Sequence, residues 1–352
     1  MEKRVGIIGT GNISNAHMDG YQRLDNVKVV AACDINEQRV RDYAAHYGIP
    51  HVFTDYNEML AMKELDAVSV CTWNSAHADA SIAALNAGKH VLCEKPLAMT
   101  VEEARAMQQA AERAGRLLMV GFCMRFEQKA IVLRDMIGAG ALGPIYYAKA
   151  SYLRRAGNPG GWFADKSRSG GGPLIDLGVH IIDFCRYMMG KPQAVTVSGA
   201  TFDKLGDRSN LKYVRGYAAS DKTLEKSDVE DMASAFIRFS NGAVLEVETS
   251  FSHHIERIDN EYVTIELYGT KGGISYEPQL KIFSEMNDYL VNITPQIAQE
   301  DGEDYFRREI AHFIDCITGK AQCINPAEDG VEIMKILCAV YESARLGREV
   351  AL

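Results

Sequence analysis

The apolar positions in the first third of the chain fall into short β-branched runs separated by stretches of helical period. Such alternation marks a doubly wound parallel sheet, whose strands are buried on both faces and whose helices bury one. The runs predict strands at 4–8, 27–33, 51–53, 67–70, 90–93 and 117–121, with helices over 13–24, 37–47, 56–62, 76–87 and 101–114. Glycines 48, 88 and 115 stop three of those helices, where the chain must leave the right-handed conformation. Strands joined by crossovers of helical length make a complete dinucleotide-binding sheet.

After Gly121 the period changes to two. Alternation predicts strands at 145–153, 194–200, 232–239, 243–251, 262–268 and 273–276, and Asn241-Gly242 predicts a tight hairpin. A helix follows glycines 170–172 and ends at Gly190, and two more are expected over 303–317 and 327–346. The chain therefore reads as an α/β protein of two domains. Residues 1–123 form a Rossmann domain, and 124–352 an α+β domain with a large, mainly antiparallel, open sheet. In the strand 262–268, Val263, Ile265 and Leu267 share one face, and Tyr262, Thr264, Glu266 and Tyr268 the other. The aromatic, semi-polar face suits a subunit interface, so a homo-oligomer is expected. The polar stretch 202–228 has no clear period and reads as a long surface excursion.

Composition narrows the class of partner. With 47% hydrophobic and 24% charged residues over 352 positions, the chain can bury an ordinary core. A net charge of −9, without long like-charge blocks, argues against nucleic acid and against an anionic membrane surface. No run approaches the roughly 18 apolar residues of a membrane span, and the start carries no signal-peptide pattern, so a cytoplasmic location is expected. The eight cysteines include no CxxC pair and read as buried apolar side chains in a reducing compartment.

Candidate chemistry appears at three places. Gly9-Thr10-Gly11-Asn12-Ile13-Ser14 follows the first strand and opens a helix. Gly9 permits a tight turn, and Gly11 lets a pyrophosphate approach the helix N-terminus. Asp34 ends the second strand, where a carboxylate binds a ribose 2′-hydroxyl and repels a 2′-phosphate. It favours NAD, while Arg39 nearby leaves NADP open; the other reading of Asp34 is a helix cap. Glu94-Lys95-Pro96 follows a further strand at the carboxyl edge of the sheet, where ligands bind, although a Glu-Lys pair there also reads as a solvated ion pair.

The third place is GGGPLIDLGVHIID, residues 170–183. On a helix, spacing of four puts Asp176 and His180 on one face. The pair reads as an acid/base dyad, half of a metal site, or a buried hydrogen bond. A metal would need a third ligand. Asp183 has no supporting cluster, and His253 and His254 diverge on a strand, so no metal is expected.

Taken in order, the glycine turn, CTWN with His77, AGKHVLCEKPL and GGGPLIDLGVHIID resemble the glucose-fructose oxidoreductase / inositol dehydrogenase (Gfo/Idh/MocA) family over nearly the whole chain. The resemblance implies a Rossmann domain followed by an open-sheet domain that builds dimers or tetramers. It also implies NAD(P)-dependent oxidation or reduction of a sugar, sugar derivative or cyclitol, with a Lys95–Pro96 bond that is commonly cis. Matched by position, Lys95, Asp176 and His180 are the catalytic candidates. Gly9, Thr10, Gly11, Asn12, Ile13, Asp34, Thr72, Trp73, Asn74, His77, Glu94 and Lys95 are expected at the cofactor. Trp73 stands where the family more often has proline, and no chemistry is assigned to it.

Hydride transfer from a secondary hydroxyl needs a proton acceptor and a group to hold the oxygen. His180 is expected as the base, Asp176 as its orienter or a substrate ligand, and Lys95 as the group on the reacting oxygen. Arg125, Tyr152, Arg154 and Trp162 are expected to line the substrate site. The glycines before the helix are expected to admit substrate close to the backbone. Two other readings stay open: redox-assisted elimination or hydrolysis through a transient keto sugar, and a non-catalytic NAD-binding sensor.

Overall fold

The computed structural model describes residues 2–155, 157–206, 208, 211, 218–219, 227–256, 261–277, 279–297 and 304–352. In chain order its elements begin β1 (Lys3–Ile8), α1 (Asn12–Gln22), β2 (Val27–Cys33), α2 (Glu37–Tyr47), β3 (His51–Phe53), α3 (Tyr56–Leu60), β4 (Ala67–Val70), α4 (His77–Asn86), β5 (His90–Cys93), α5 (Val101–Ala114) and β6 (Leu118–Val120). They continue with α6 (Gln128–Gly138), β7 (Ile145–Arg154), α7 (Lys166–Ser169), α8 (Val179–Met188), β8 (Ala194–Phe202), β9 (Met232–Phe239) and β10 (Val244–Ser250). Then follow β11 (Glu261–Gly269), β12 (Gly272–Ser275), β13 (Lys281–Met286), β14 (Tyr289–Ile293), α9 (Asp304–Ile317), α10 (Ala327–Leu346) and β15 (Val350–Ala351).

The chain divides into two compact units. The first runs to Phe126 and regains the chain from α9 to Met334; the second holds the segment from Glu127 through β14, and Lys335 to Leu352. Thus α9, with the start of α10 as far as Met334, packs in the first unit, although the sequence reading places it with the second domain. Its apolar stripe explains why. Ile310, Phe313 and Ile314 are buried in one cluster with Val5, Ile7, Met18 and Tyr21. Gly20 of α1 lies so close to α9 that an added Cβ would sit 2.7 Å from Ile310.

In the first unit six parallel strands take the order β3-β2-β1-β4-β5-β6. The order reverses between β1 and β4, which opens a crevice at their carboxyl ends. The second unit has a nine-stranded sheet, β14-β13-β12-β11-β7-β10-β9-β8-β15. Among the described residues only β7 and β10 pair in parallel there. The Asn241-Gly242 hairpin joins β9 to β10, with Gly242 at φ +83°. Ile265 and Leu267 are buried and Tyr268 is exposed, as the alternation of that strand requires.

Among the described residues five elements escaped the sequence pattern: α6, the four-residue α7, the hairpin β13–β14 and the short β15. The hairpin is hard to see because it is barely buried. Met286, Tyr289 and Leu290 are exposed, and Asn287 and Asp288 make the turn at positive φ without a glycine. The start of the glycine-led helix also differs from expectation, because Leu174–Gly178 form a π turn before α8. A π turn holds one more residue than an α turn, so Asp176 and His180 are not an ordinary α-helical i, i+4 pair. Of the excursion 202–228, residues 207, 209–210, 212–217 and 220–226 lie outside the described residues. Five cysteines are buried as expected, but Cys316, Cys323 and Cys338 are only half-buried.

Candidate active site

In the first unit, the loops after β1, β2, β4 and β5 carry the cofactor candidates at the carboxyl ends of adjacent parallel strands. Gly9 turns at φ +89°, and a Cβ there would lie 2.7 Å from the Cys71 backbone, so only glycine fits. Gly11 is the N-cap of α1, supplies no capping side chain, and is followed by no acidic residue in the first turn. A helix start built this way presents backbone amides and positive partial charge to an anion, with no carboxylate competing for them. Asn12 is exposed and Ile13 half-buried in that turn.

Asp34 is 7% exposed and knits the turn together. Its Oδ2 accepts from Thr10 N at 2.9 Å and Thr10 Oγ1 at 3.0 Å, and its Oδ1 from Asn36 N at 2.9 Å. The cap of α2 is Asn36, whose Oδ1 accepts from Arg39 N at 3.0 Å, so Asp34 is not the helix cap. The Arg39 guanidinium stands 3.6 Å from Asp34 Oδ2. The glycine turn, the helix start and a carboxylate at the end of β2 fit a dinucleotide.

Beneath the β5 loop lies a buried polar chain. Glu94 Oε1 pairs with His17 Nε2 at 2.8 Å, His17 Nδ1 with Ser69 Oγ at 3.0 Å, and Ser69 Oγ with Tyr21 Oη at 2.8 Å. The other Glu94 oxygen accepts from the Lys95 amide at 3.2 Å. Burial opposes ionisation of Glu94, but the hydrogen bond and charge of His17, with Lys95, hold its carboxyl below the ordinary range. Glu94 is therefore an internal anchor for the Lys95 backbone, not a surface ion pair. His17, Ser69 and Tyr21 were missed in the sequence. Ser14, His17, Met18 and Tyr21 are buried at i, i+3, i+4 and i+7 of α1, so a polar residue on the core stripe was the available signal.

Two expectations need correction in this unit. His77 is fully buried, with Nδ1 2.8 Å from Pro96 O and Nε2 3.2 Å from Thr72 O. Burial lowers its pKa, and the ring ties the β4 and β5 loops together, which makes it a positioning residue. Arg125 is 1% exposed; its Nη1 donates to Asp329 Oδ2 at 2.8 Å and to Ile324 O. A guanidinium consumed in that way cannot line a sugar site. Thr72, Trp73 and Lys95 are half-buried, Asn74 is buried, and the Lys95–Pro96 bond is cis.

In the second unit, Asp176 and His180 are half-buried on the π turn and the start of α8. Arg154 Nη1 lies 3.5 Å from Asp176 Oδ2, and its guanidinium sits 5.6 Å from the Tyr152 ring. Tyr152, Arg154 and Asp176 therefore form one cluster at the end of β7. Trp162 is half-buried and stacks on Phe163 at 3.9 Å.

The glycines before the turn serve the protein itself, contrary to the expectation of close substrate approach. A Cβ on Gly171 would lie 2.0 Å from Tyr341 Oη, and one on Gly172 would lie 2.1 Å from Glu230 O. Glu230 accepts from Gly172 N at 2.9 Å, Leu174 N at 3.3 Å and Tyr341 Oη at 2.8 Å. It thus caps the motif from a distant part of the chain. Burial raises the Glu230 pKa against those hydrogen bonds. No local pattern pointed to Glu230 or Tyr341.

These features define a nucleotide-dependent oxidoreductase, and comparison with known proteins places it. Residues 3–122 match the Gfo/Idh/MocA oxidoreductase family, NAD-binding Rossmann fold, and residues 131–275 match the family's C-terminal domain. The chain belongs to that family. It is 34% identical over 351 residues to the D-glucoside 3-dehydrogenase of Escherichia coli K12, covering 99% of this chain and 97% of that one. It is 32% identical over 291 residues to the levoglucosan dehydrogenase of Pseudarthrobacter phenanthrenivorans, covering 77% and 73% respectively. A solved levoglucosan dehydrogenase in complex with NADH and L-sorbose superposes with a TM-score of 0.87 at 27% identity, over 100% of this chain and 99% of that one.

Proposed function

We propose that the protein oxidises a secondary ring hydroxyl of a glycoside or related sugar, with NAD as hydride acceptor. The observation that carries the reading is the cofactor cradle of the first unit: left-handed Gly9, side-chain-free Gly11 and the Asp34 carboxylate clamped to Thr10. Relatives named for glucoside and levoglucosan oxidation support the substrate class. Bound NAD supplies the hydride acceptor. Lys95, whose backbone is anchored through Glu94, holds the reacting oxygen and stabilises its developing negative charge. His180 takes the hydroxyl proton. Asp176, beside Arg154, orients the base and binds a neighbouring sugar hydroxyl, with Tyr152 and Trp162 as walls.

The test is NADH absorbance with a panel of glucosides, anhydro sugars and cyclitols. Net NADH formation on a glycoside is the expected result. Glycoside cleavage with only catalytic NAD, or NAD binding without turnover of any sugar, would overturn it.

The reading extends to a cytoplasmic homo-oligomer, dimer or tetramer, paired through the face of the nine-stranded sheet that bears Lys149, Ser198, Phe236, Glu246 and Tyr268. Alternation along β7, β9 and β10 supports this, because Ala148, Ala150, Ala235, Ile237 and Leu245 are buried on the opposite face. Light scattering of the purified chain distinguishes this from a monomer. Among the described residues no helix is long and apolar enough to cross a membrane.

A further inference from the structure

The C-terminal part of α9 and the loop after it gather three side chains that the oxidoreductase reading does not use. His312, Cys316 and Cys323 bring an imidazole nitrogen and two sulfurs within 4.8 Å of one another, each residue half-buried. His312 and Cys316 stand one turn apart on α9, with Nε2 3.4 Å from Sγ. Cys323 comes back on the following loop, its Sγ 3.7 Å from Asn325 Oδ1. The His312 Nε2 accepts the Ile324 amide at 3.2 Å, so the nitrogen facing the sulfurs carries the lone pair and the ring proton sits on Nδ1.

We propose that His312, Cys316 and Cys323 form a binding site for a soft divalent cation, of which Zn²⁺ is the physiological candidate. One imidazole and two sulfurs, with no carboxylate in the set, are donors for zinc and not for magnesium or calcium. Two ligands one helical turn apart and a third from a returning loop give three protein positions, with the fourth open to water. On binding, each thiol yields its proton to solvent as a metal–sulfur bond forms, and the His312 lone pair passes from the Ile324 amide to the metal. No electrons change hands.

The site has a structural consequence. The loop bearing Cys323 also completes the edge of β6: Val120 N donates to Asn325 O at 3.0 Å, Asn325 Nδ2 donates to Val120 O, and Pro326 bridges to Met119. Its Ile324 carbonyl also accepts from Arg125. A metal there staples α9 to the strand edge within the first unit.

The full-length chain, reduced and stripped with a chelator, is titrated with Co²⁺ while its sulfur-to-cobalt charge-transfer band is followed. One ion per chain with such a band, displaced by Zn²⁺, is the expected result. Cys316→Ser and Cys323→Ser should each weaken binding by more than the roughly 10–100-fold typical of losing an outer-shell partner. Cys338→Ser, outside the cluster, should bind as the unaltered chain does. Zn²⁺ should also raise the thermal unfolding midpoint of the unaltered chain and of Cys338→Ser, and not that of the other two variants. No band in the reduced, unaltered chain would overturn the proposal, as would an unchanged band when both serines are present.

Discussion

The two units hold their functional residues by different means. In the first, side chains at the ends of the parallel strands secure backbone: Asp34 clamps the glycine turn from 24 positions away, and His17, 77 positions from Glu94, sits under the carboxylate that holds the Lys95 amide. In the second, Asp176 on the π turn and His180 at the start of α8 follow an entry fixed by Glu230 and Tyr341, residues 58 and 111 positions from their partners Gly172 and Glu230. A cofactor common to many reactions can be met by a local motif. On the proposed reading, aiming groups at one particular hydroxyl draws on Glu230 and Tyr341, well outside the motif itself.

This contrast can be broken at its strongest point first. On the proposed reading of His180 as the proton acceptor, His180→Ala should lower kcat by about 10²–10⁴ with NADH binding unchanged. Steady-state kinetics beside an NADH titration measure both, and equal loss of cofactor binding would deny the division of labour. Arg125→Ala should cost about 3–5 kcal/mol of stability by removing the guanidinium that pairs with buried Asp329, while the sugar KM of the surviving native enzyme stays the same. Urea unfolding and KM together check it. A raised KM at full stability would restore Arg125 to the substrate site.

Gly172→Ala forces a Cβ against the Glu230 carbonyl and should cost about 1–3 kcal/mol or more. It should also lower kcat, since the π turn is displaced; a fall in stability alone would sharpen the contrast by separating entry from aim.

The smallest effect is a difference in sign. Burial pushes His90 in the first unit down to about 4 from 6.5. Between those values the unfolded chain takes up a proton that the native chain refuses, so first-unit stability falls on acidification, by up to about 3 kcal/mol. Glu230 in the second unit is raised, so its contribution is complete below its ordinary value and is lost as pH rises through the folded one. Hydrogen exchange followed unit by unit across that pH range should show opposite slopes.

What could be read in the sequence follows the same division. The glycine turn, Asp34 and the Glu94-Lys95-Pro96 loop were legible because each directly follows a strand, where local spacing marks it, although Asp34 and Glu94 are held by Thr10 and His17, 24 and 77 positions away. Arg125 misled because a lone arginine after a strand looks the same whether it faces solvent or is consumed by Asp329, far along the chain. The π turn was illegible because apolar spacing in GGGPLIDLG satisfies a helix of either pitch. The β13–β14 hairpin lacked a buried face strong enough to impose alternation.

The return of α9 to the first unit also bears on how the chain is made. Ile310, Phe313 and Ile314 complete the core around Met18 and Tyr21, yet they leave the ribosome long after β6. At about 5–20 residues per second, the nascent first sheet waits roughly 10–40 s with that apolar face uncovered. For this protein, the N-terminal third is the earliest to be synthesised and among the last to be finished. Occupancy by nucleotide or a chaperone during that interval would therefore weigh on yield more than on the stability of the finished enzyme.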